Sequence, residues 1–240
     1  AVSCTVDPDS PSSVAEGINH LADLGIDGLV VLVPQTKAVA SARKMLGTLP
    51  VVTVDSMYRI DELYVSVDNF AGGQTATEHL ISLGHRNILH ISGPKSWFEA
   101  TARSAAHAAT MLNAGFQPQI VSGDWTADSG YAVGLEVNFE QRGITAVFAA
   151  NDYVALGVIK AAHQRGIRIP QDLSVVGFDD VPESGYFIPS LTTMRQDFSE
   201  LGRRAIRLLL SGLDRIEAPN LAPLIPDLIV RESTSAPRAH

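Results

Sequence analysis

Polar and aromatic side chains follow several short apolar runs of the sequence, close to the point where each run ends. The residues concerned are Asp55, Arg103, Trp125, Asn151 and Asp179. Asp, Asn and Arg side chains carry paired hydrogen-bond acceptors or donors, which match the adjacent hydroxyl groups of a sugar. An indole can cover the apolar face of the sugar ring. If the fold brings these residues together, they predict a polyol-binding site.

Each of these residues also has a purely structural interpretation. Asn151 precedes a helical pattern, where its side chain can cap free N–H groups. Asp55 and Asp179 belong to a type common in loops. Arg103 can be a solvated helix residue, and Trp125 can belong to the core. We favour ligand binding because all of these positions lie near the ends of predicted strands.

The stretch from Ala146 to Gly166 shows this arrangement most clearly. An apolar run stops at Asn151 and Asp152, and apolar residues then recur at helical spacing until Gly166. The pattern predicts a strand, a turn and a helix. In an open parallel sheet, ligands bind where strands end and helices begin, so Asn151 and Asp152 should stand at the rim of a cleft.

Strands and helices alternate along the rest of the chain. Short, mostly apolar runs predict strands covered on both faces at 28–33, 51–55, 88–92, 119–122, 146–150 and 174–179. Helical periodicity predicts helices at 12–24, 37–46, 72–83, 98–114, 127–142, 152–165 and 198–213. We also expect extended segments at 65–69 and 191–198, a final strand at 227–232 and a frayed tail from Ser233. The alternation indicates an α/β fold with parallel sheet.

Composition and motifs argue against several classes of function. The 240 residues carry a net charge of −8, so the chain by itself should bind nucleic acid poorly. No nucleotide-binding glycine motif is present and the histidines lack metal-ligand spacing, which predicts neither a cofactor nor a metal. The lone Cys4 suits a reducing compartment. Asp55 and Asp179 could form a glycosidase pair, although binding of sugar hydroxyls without catalysis is the favoured interpretation.

Seven segments of the chain carry distinctive patterns in a fixed order. They are HLISLGHRNI at 79–88, SGP at 92–94, SGDWTADSG at 122–130, ANDYVALG at 150–157, IPQDLSVVGFDD at 169–180, PSLTTMRQDF at 189–198 and VREST at 230–234. Together they resemble the effector-binding core of the lac repressor family of bacterial transcription regulators. The resemblance extends over nearly the whole chain.

This resemblance implies two Rossmann-like lobes with parallel sheets, joined by three crossovers as in periplasmic sugar-binding proteins. Residues 1–67 and 197–222 would form the N-terminal lobe, and residues 68–196 and 223–235 the C-terminal lobe, with 236–240 as a tail. A small sugar, with a galactoside-like one as the candidate, would bind in the cleft between the lobes. The chain begins at what corresponds to the second strand of the family core, so the first strand and helix are expected to be missing.

The resemblance also assigns roles to individual residues. Carboxylate, amide and guanidinium groups would bond to sugar hydroxyls, the indole would stack on the ring, and Gln196 and Phe198 would close the cleft. The full set of expected ligand contacts is Asp55, Arg103, Trp125, Asn151, Asp179, Gln196 and Phe198. The family usually has Gly and an aromatic residue where this chain has Ala106 and His107, a departure that affects the packing behind Arg103.

Members of the family bind operator DNA through a helix-turn-helix domain, which we expect to be absent from this chain. The resemblance therefore implies a cytoplasmic regulator, a repressor that works as a homodimer, whose sugar effector controls operator binding allosterically. The alternative is an extracytoplasmic sugar-binding protein of a transporter, which has the same fold. The segments RQDF at 195–198 and VREST at 230–234 favour the regulator.

Overall fold

The structure, a computed structural model, describes residues 1–7, 10–32, 49–54, 63–217, 219 and 221–238. The chain divides into two compact units. The smaller unit contains residues 1–67 and 197–224, and the larger contains 68–196 and 225–240. The chain therefore passes from one unit to the other after Val67, after Gln196 and after Leu224.

Strands and helices alternate in both units, which confirms the α/β class predicted from the sequence. The described helices are α1 (Pro11–Asp23), α2 (Asn69–Ser82), α3 (Phe98–Asn113), α4 (Ala127–Glu136), α5 (Asp152–Gln164) and α6 (Phe198–Leu213). The described strands are β1 (Leu29–Leu32), β2 (Val51–Val54), β3 (Tyr64–Val65), β4 (Ile88–Ser92), β5 (Gln119–Ser122), β6 (Ala146–Ala149), β7 (Ser174–Asp179), β8 (Thr192–Arg195) and β9 (Asp227–Ile229). The predicted helix at 37–46 lies outside the described residues.

The smaller unit is built on a parallel sheet in the order β1-β2-β3. Val51 of β2 packs in one cluster with Val14 of α1. Its neighbour Val52 packs in a second cluster with Leu208 of α6. Successive side chains of a strand point to opposite faces, so this apolar strand needs a helix on each face.

The larger unit is built on a six-stranded sheet in the order β5-β4-β6-β7-β8-β9. All neighbours are parallel except β9, which runs antiparallel to β8. Every side chain of β4 and β6 is buried, because helices cover the sheet on both faces. The carboxyl ends of the parallel strands lie along one edge, where the predicted site residues follow β4, β5, β6 and β7.

Helix α4 ends earlier than the periodicity predicted. It stops at Glu136 instead of 142, and Val137 already has an extended backbone with ψ 122°. Asn138 Oδ1 then accepts a hydrogen bond from the Gln141 N–H at 3.0 Å, which forms a turn, and Phe139 is buried in the core. The local side-chain bond and the buried aromatic together outweigh the helical pattern.

The predicted fraying from Ser233 is wrong for residues 233–238. Ser233 is fully buried, and its hydroxyl donates to the Val175 carbonyl at 2.6 Å and accepts from the Thr192 N–H at 2.8 Å. Further along, Arg238 forms an ion pair with Asp172 at 2.9 Å. The final strand is also shorter than predicted, because β9 ends at Ile229.

No helix in the described part of the chain is both long enough and apolar enough to cross a membrane. Nor do the described residues contain a group of three or more His, Cys, Asp or Glu side chains that could hold a metal ion.

Candidate functional site

Arg103 lies on α3 and is almost completely buried, with 3% of its surface exposed. Its Nε donates to Asn69 Oδ1 at 2.8 Å, and its Nη1 donates to the Ala150 carbonyl at 2.6 Å. The guanidinium carbon lies 3.6 Å from the centroid of the Phe178 ring. A buried charge requires such partners. The contacts fix the orientation of Arg103 and exclude its interpretation as a solvated helix residue.

Asp179 faces Arg103 at the carboxyl end of β7. Its Oδ1 lies 3.7 Å from Arg103 Nη2 and accepts a hydrogen bond from Gln196 Nε2 at 2.6 Å. The distance to Arg103 allows an ion pair but is longer than a direct hydrogen bond. Burial raises the pKa of the Asp179 carboxyl above its ordinary value, and the Arg103 charge and the Gln196 donor oppose that shift. These residues form one hydrogen-bonded, charged group.

Trp125 follows β5 and lies against the backbone at Gly93. A Cβ atom on Gly93 would lie 2.5 Å from the indole, so only glycine allows this approach. The Trp97 ring packs edge-on with its centroid 5.3 Å away, and the Arg103 guanidinium carbon lies 5.7 Å from the Trp125 ring centroid. Trp125 Nε1 is buried and has no hydrogen-bond partner among the described residues.

Asn151 caps α5, as its structural interpretation proposed. Its Oδ1 accepts from the Val154 N–H at 2.8 Å, and its Nδ2 donates to the Trp125 carbonyl at 3.0 Å. The side chain therefore satisfies a free helix N–H and also ties α5 to the turn that carries Trp125. A direct contact between Asn151 and a ligand stays a prediction.

The turn after β7 has an unusual backbone. Asp179 and Asp180 both have positive φ, 109° and 56°, a region that non-glycine residues rarely adopt. The Asp180 carboxylate accepts from Arg195 Nε and from Arg231 Nη2, each at 2.6 Å. Burial would raise the pKa of Asp180, but these donors and their charges lower it. The turn is thus held by ion pairs from Asp180 to Arg195 and Arg231.

Two histidines are buried behind Arg103. His90 Nδ1 donates to the Phe148 carbonyl at 2.9 Å, and its ring stacks on Phe148 with centroids 4.5 Å apart. The centroid of the His107 ring is 5.4 Å from that of His90. Burial lowers the pKa of His90 to about 3 and that of His107 to about 4, so both rings are neutral at pH 7. His107 fills the place where the family resemblance suggested an aromatic ring.

The larger unit therefore brings together five of the predicted ligand contacts, namely Arg103, Trp125, Asn151, Asp179 and Gln196. Phe198 begins α6 in the smaller unit and is 54% exposed. Asp55 lies outside the described residues.

Sequence reasoning missed two direct partners of Arg103. Asn69 is the last residue of the predicted extended run at 65–69, and the strand-end argument would have selected it had it been applied there. Phe178 gave no such signal, because an apolar residue inside a strand is expected in any core. The role of Trp97 as edge-on partner of Trp125 was likewise not visible from spacing.

Comparisons with known proteins agree with this architecture. Residues 77–234 match the family described as periplasmic binding protein-like domain. The HTH-type transcriptional repressor PurR of Klebsiella pneumoniae (strain 342) is 32% identical over 234 residues, which cover 95% of this chain and 69% of the relative.

Solved structures of regulators superpose on most of the chain. A lac repressor dimer bound to operator and the anti-inducer ONPF has a TM-score of 0.89 at 28% identity, covering 98% of this chain and 83% of that one. A complex of the transcriptional regulator CelR with cellobiose has a TM-score of 0.83 at 31% identity, covering 93% and 71%. The chain belongs to the lac repressor family of transcription regulators, and it carries the periplasmic-binding-protein-like effector domain of that family.

Proposed function

We propose that the larger unit binds a small sugar at the edge of its sheet where β4 to β7 end. The observation that carries this proposal is the pairing of Arg103 with Asp179 at 3.7 Å beside the Trp125 indole. A sugar hydroxyl can donate to a carboxylate and accept from a guanidinium at the same time, so a hydroxyl placed beside the pair, about 2.8 Å from each group, could bond to both. The gap is too long for the two side chains to bond directly to each other.

The remaining side chains complete this site chemically. Trp125 offers an apolar face for the sugar ring, and its Nε1 is a buried donor without a partner among the described residues. Gln196 holds Asp179 through its 2.6 Å hydrogen bond, and Asn151 holds the Trp125 turn. Asp55 and Phe198 stay predictions from the sequence. Galactosides and cellobiose are the first sugars to test, the latter because the related CelR was solved as a cellobiose complex.

Sugar binding would control the binding of operator DNA. The relative named above is a transcriptional repressor, and one of the structural neighbours is a dimer bound to operator. We therefore infer a cytoplasmic, homodimeric repressor whose affinity for operator changes when the effector binds. Such control needs an effector that binds the two functional states with different affinity. The same likenesses disfavour an extracytoplasmic transport protein and a glycosidase.

The proposal is tested by calorimetric titration of the chain with lactose, isopropyl thiogalactoside and cellobiose. Loss of one hydrogen bond to a charged group costs about 1.5 to 3 kcal/mol. Asp179→Ala should therefore lower the affinity for the sugar roughly tenfold to a hundredfold. Arg103→Ala should have an effect of the same order. Asp128→Ala, an exposed position on α4, is the matched control and should bind like the parent. Unchanged affinity in Asp179→Ala would remove that residue from the site.

A further inference from the structure

Asp152 is a buried carboxylate with no assigned role in the site described above. It is the first residue of α5, directly after Asn151, and its surface is completely buried. Its Oδ1 accepts from Thr193 Oγ1 at 2.5 Å. Its Oδ2 accepts from the Val181 N–H at 2.9 Å and from Ser184 Oγ at 2.5 Å. Both oxygens are thus engaged by the protein itself.

The environment of Asp152 is costly for a carboxylate. Burial raises the pKa of Asp152 to about 6, its three hydrogen bonds lower it, and the Asp179 charge raises it further. No ion pair to Asp152 is present among the described residues. A buried carboxylate that has only neutral donors is destabilising unless those donors are held in place for it. Ser184 and Thr193 are themselves fully buried, so they meet this condition.

The groups that Asp152 holds belong to the turn that presents Asp179. Val181 and Ser184 follow the two residues with positive φ, Asp179 and Asp180. Backbone in this region is strained for a non-glycine residue and persists only where the surroundings impose it. Asp152 supplies one such restraint immediately after the strained pair, and the ion pairs of Asp180 supply the other.

A glycine in β7 makes room for the Asp152 carboxylate. Gly177 lies inside β7, where glycine weakens a strand. A Cβ atom at this position would overlap Asp152 Oδ1 and would lie 2.8 Å from Leu191 Cδ2. The close approach of the carboxylate to the strand therefore requires a residue without a side chain at 177.

We propose that Asp152 is a positioning residue, which holds the turn after β7 so that Asp179 faces Arg103. This inference rests on the proposed sugar site for its functional meaning. Together with Asn151 it makes the start of α5 a junction, because Asn151 ties the helix to the Trp125 turn and Asp152 ties it to the Asp179 turn. Asp152 acts on the ligand only through Asp179 and does not touch it.

The test first uses the chain without any ligand, labelled with nitrogen-15 and carbon-13. The signals to follow are the Nε–Hε cross-peak of Arg103 and the carboxyl carbon of Asp179. Asp152→Ala should shift both signals, and Asp152→Asn should shift them less, because an amide still offers one acceptor oxygen of the same size. Asp128→Asn removes a carboxylate from the first turn of α4 at an exposed position, and it should leave both signals unchanged.

Sugar affinity is then measured by calorimetry with the sugar that binds the parent best among lactose, isopropyl thiogalactoside and cellobiose. Asp152→Ala should bind at least about tenfold more weakly, which is the loss expected for one misplaced hydrogen bond to a charged group. A second outcome is that the parent chain binds none of these sugars while the ligand-free signals still move in the Asp152 variants. That result would support the positioning role and count against the proposed function.

A folded Asp152→Ala chain with both signals at their parent positions would overturn the inference. If Asp152→Ala does not fold, Ser184→Ala decides, since it removes one donor from the carboxylate and leaves the charge in place. In Ser184→Ala the Arg103 and Asp179 signals should move in the same direction as in Asp152→Asn. Unchanged signals in Ser184→Ala would then contradict the positioning role.

Discussion

Replacement of His107 by phenylalanine should change how stability depends on pH. His107 lies one helical turn after Arg103 and is completely buried. The Thr77 hydroxyl donates to the Gly73 carbonyl at 2.9 Å, so His107 Nδ1, 3.2 Å from that hydroxyl oxygen, is the donor of their hydrogen bond. His107 Nε2 then carries a lone pair, and it has no partner among the described residues. Protonation would place a charge at this buried atom.

The magnitude follows from the lowered pKa of His107. Burial lowers this pKa from 6.5 to about 4, so below pH 6.5 the unfolded chain takes up a proton that the folded chain does not. The stability that neutral His107 provides is therefore fully present above pH 6.5 and is lost as pH falls toward 4. At about 1.4 kcal/mol per pH unit, the loss is about 3 kcal/mol in all, and about 2 kcal/mol of it falls between pH 7 and pH 4.5.

Other buried groups make the comparison with the parent necessary. Burial raises the pKa of Asp152 to about 6, so the contribution of Asp152 to stability is fully present below its ordinary value of 3.8 and is lost as pH rises through 6. This change opposes that of His107 in the same pH range. His90 and Asp152 are present in both chains, so the difference between His107→Phe and the parent reports on His107 together with its effect on the pKa of His90, which the His107 charge lowers.

The assay is urea unfolding at pH 7 and at pH 4.5, with the free energy of unfolding taken from each transition. His107→Phe should gain about 2 kcal/mol relative to the parent on going from pH 7 to pH 4.5. Met111→Leu, at a buried position of α3 without a titratable group, is the control and should show the same difference from the parent at both pH values. A constant difference between His107→Phe and the parent would refute the argument from burial.

Two further predictions concern helix packing and the indoles. Gly157→Ala should destabilise the larger unit by about 2 kcal/mol or more in urea unfolding, because a Cβ atom there would lie 2.5 Å from the Tyr131 backbone nitrogen of α4. Gly202→Ala on α6 is the control. No atom of the described residues lies near its added Cβ, so it should stabilise the chain by about 0.5 to 1 kcal/mol. A neutral Gly157→Ala would contradict the close contact of α4 and α5. In sugar titrations followed by tryptophan fluorescence, Trp97→Phe should keep the response of the parent, and Trp125→Phe should lose most of it and some affinity. Equal responses in Trp125→Phe and the parent would place Trp125 in the core.

The sequence predicted those features that depend on local pattern. The strand and helix around Asn151 followed from an apolar run, a polar pair and helical spacing, and the structure has β6 at 146–149 and α5 at 152–164. Helix α6 was predicted at its observed bounds because its apolar residues recur regularly beyond Phe198. Strand ends also pointed to Arg103, Trp125 and Asp179, since parallel topology gathers such positions along one edge.

Features that depend on distant contacts escaped prediction. Ser233 is small and polar and follows the last strand, so nothing local indicates that its hydroxyl bonds to Val175 and Thr192. Asn69 could have been selected as a strand-end residue, but nothing local indicates that its partner is Arg103, 34 residues away. Asn151 illustrates a third case, because the helix cap and the tie to the Trp125 turn use different atoms of one side chain. From the sequence, a helix cap and a second contact are alternative predictions for one side chain, whereas in the structure Asn151 makes both.

The hydrogen bonds made by the segment 233–238 affect how the chain folds during synthesis. His79 Nε2 lies 3.1 Å from Thr234 Oγ1 and His85 Nε2 lies 2.9 Å from the Ser235 carbonyl, partners that are 155 and 150 residues apart. Residues 197–224 of the other unit are made before the segment that supplies these partners. The larger unit therefore cannot complete its hydrogen bonds until nearly all of this sequence has left the ribosome. Contacts of such sequence separation form slowly, so we expect the nascent larger unit to stay partly open and to need protection from aggregation until Thr234 and Ser235 emerge.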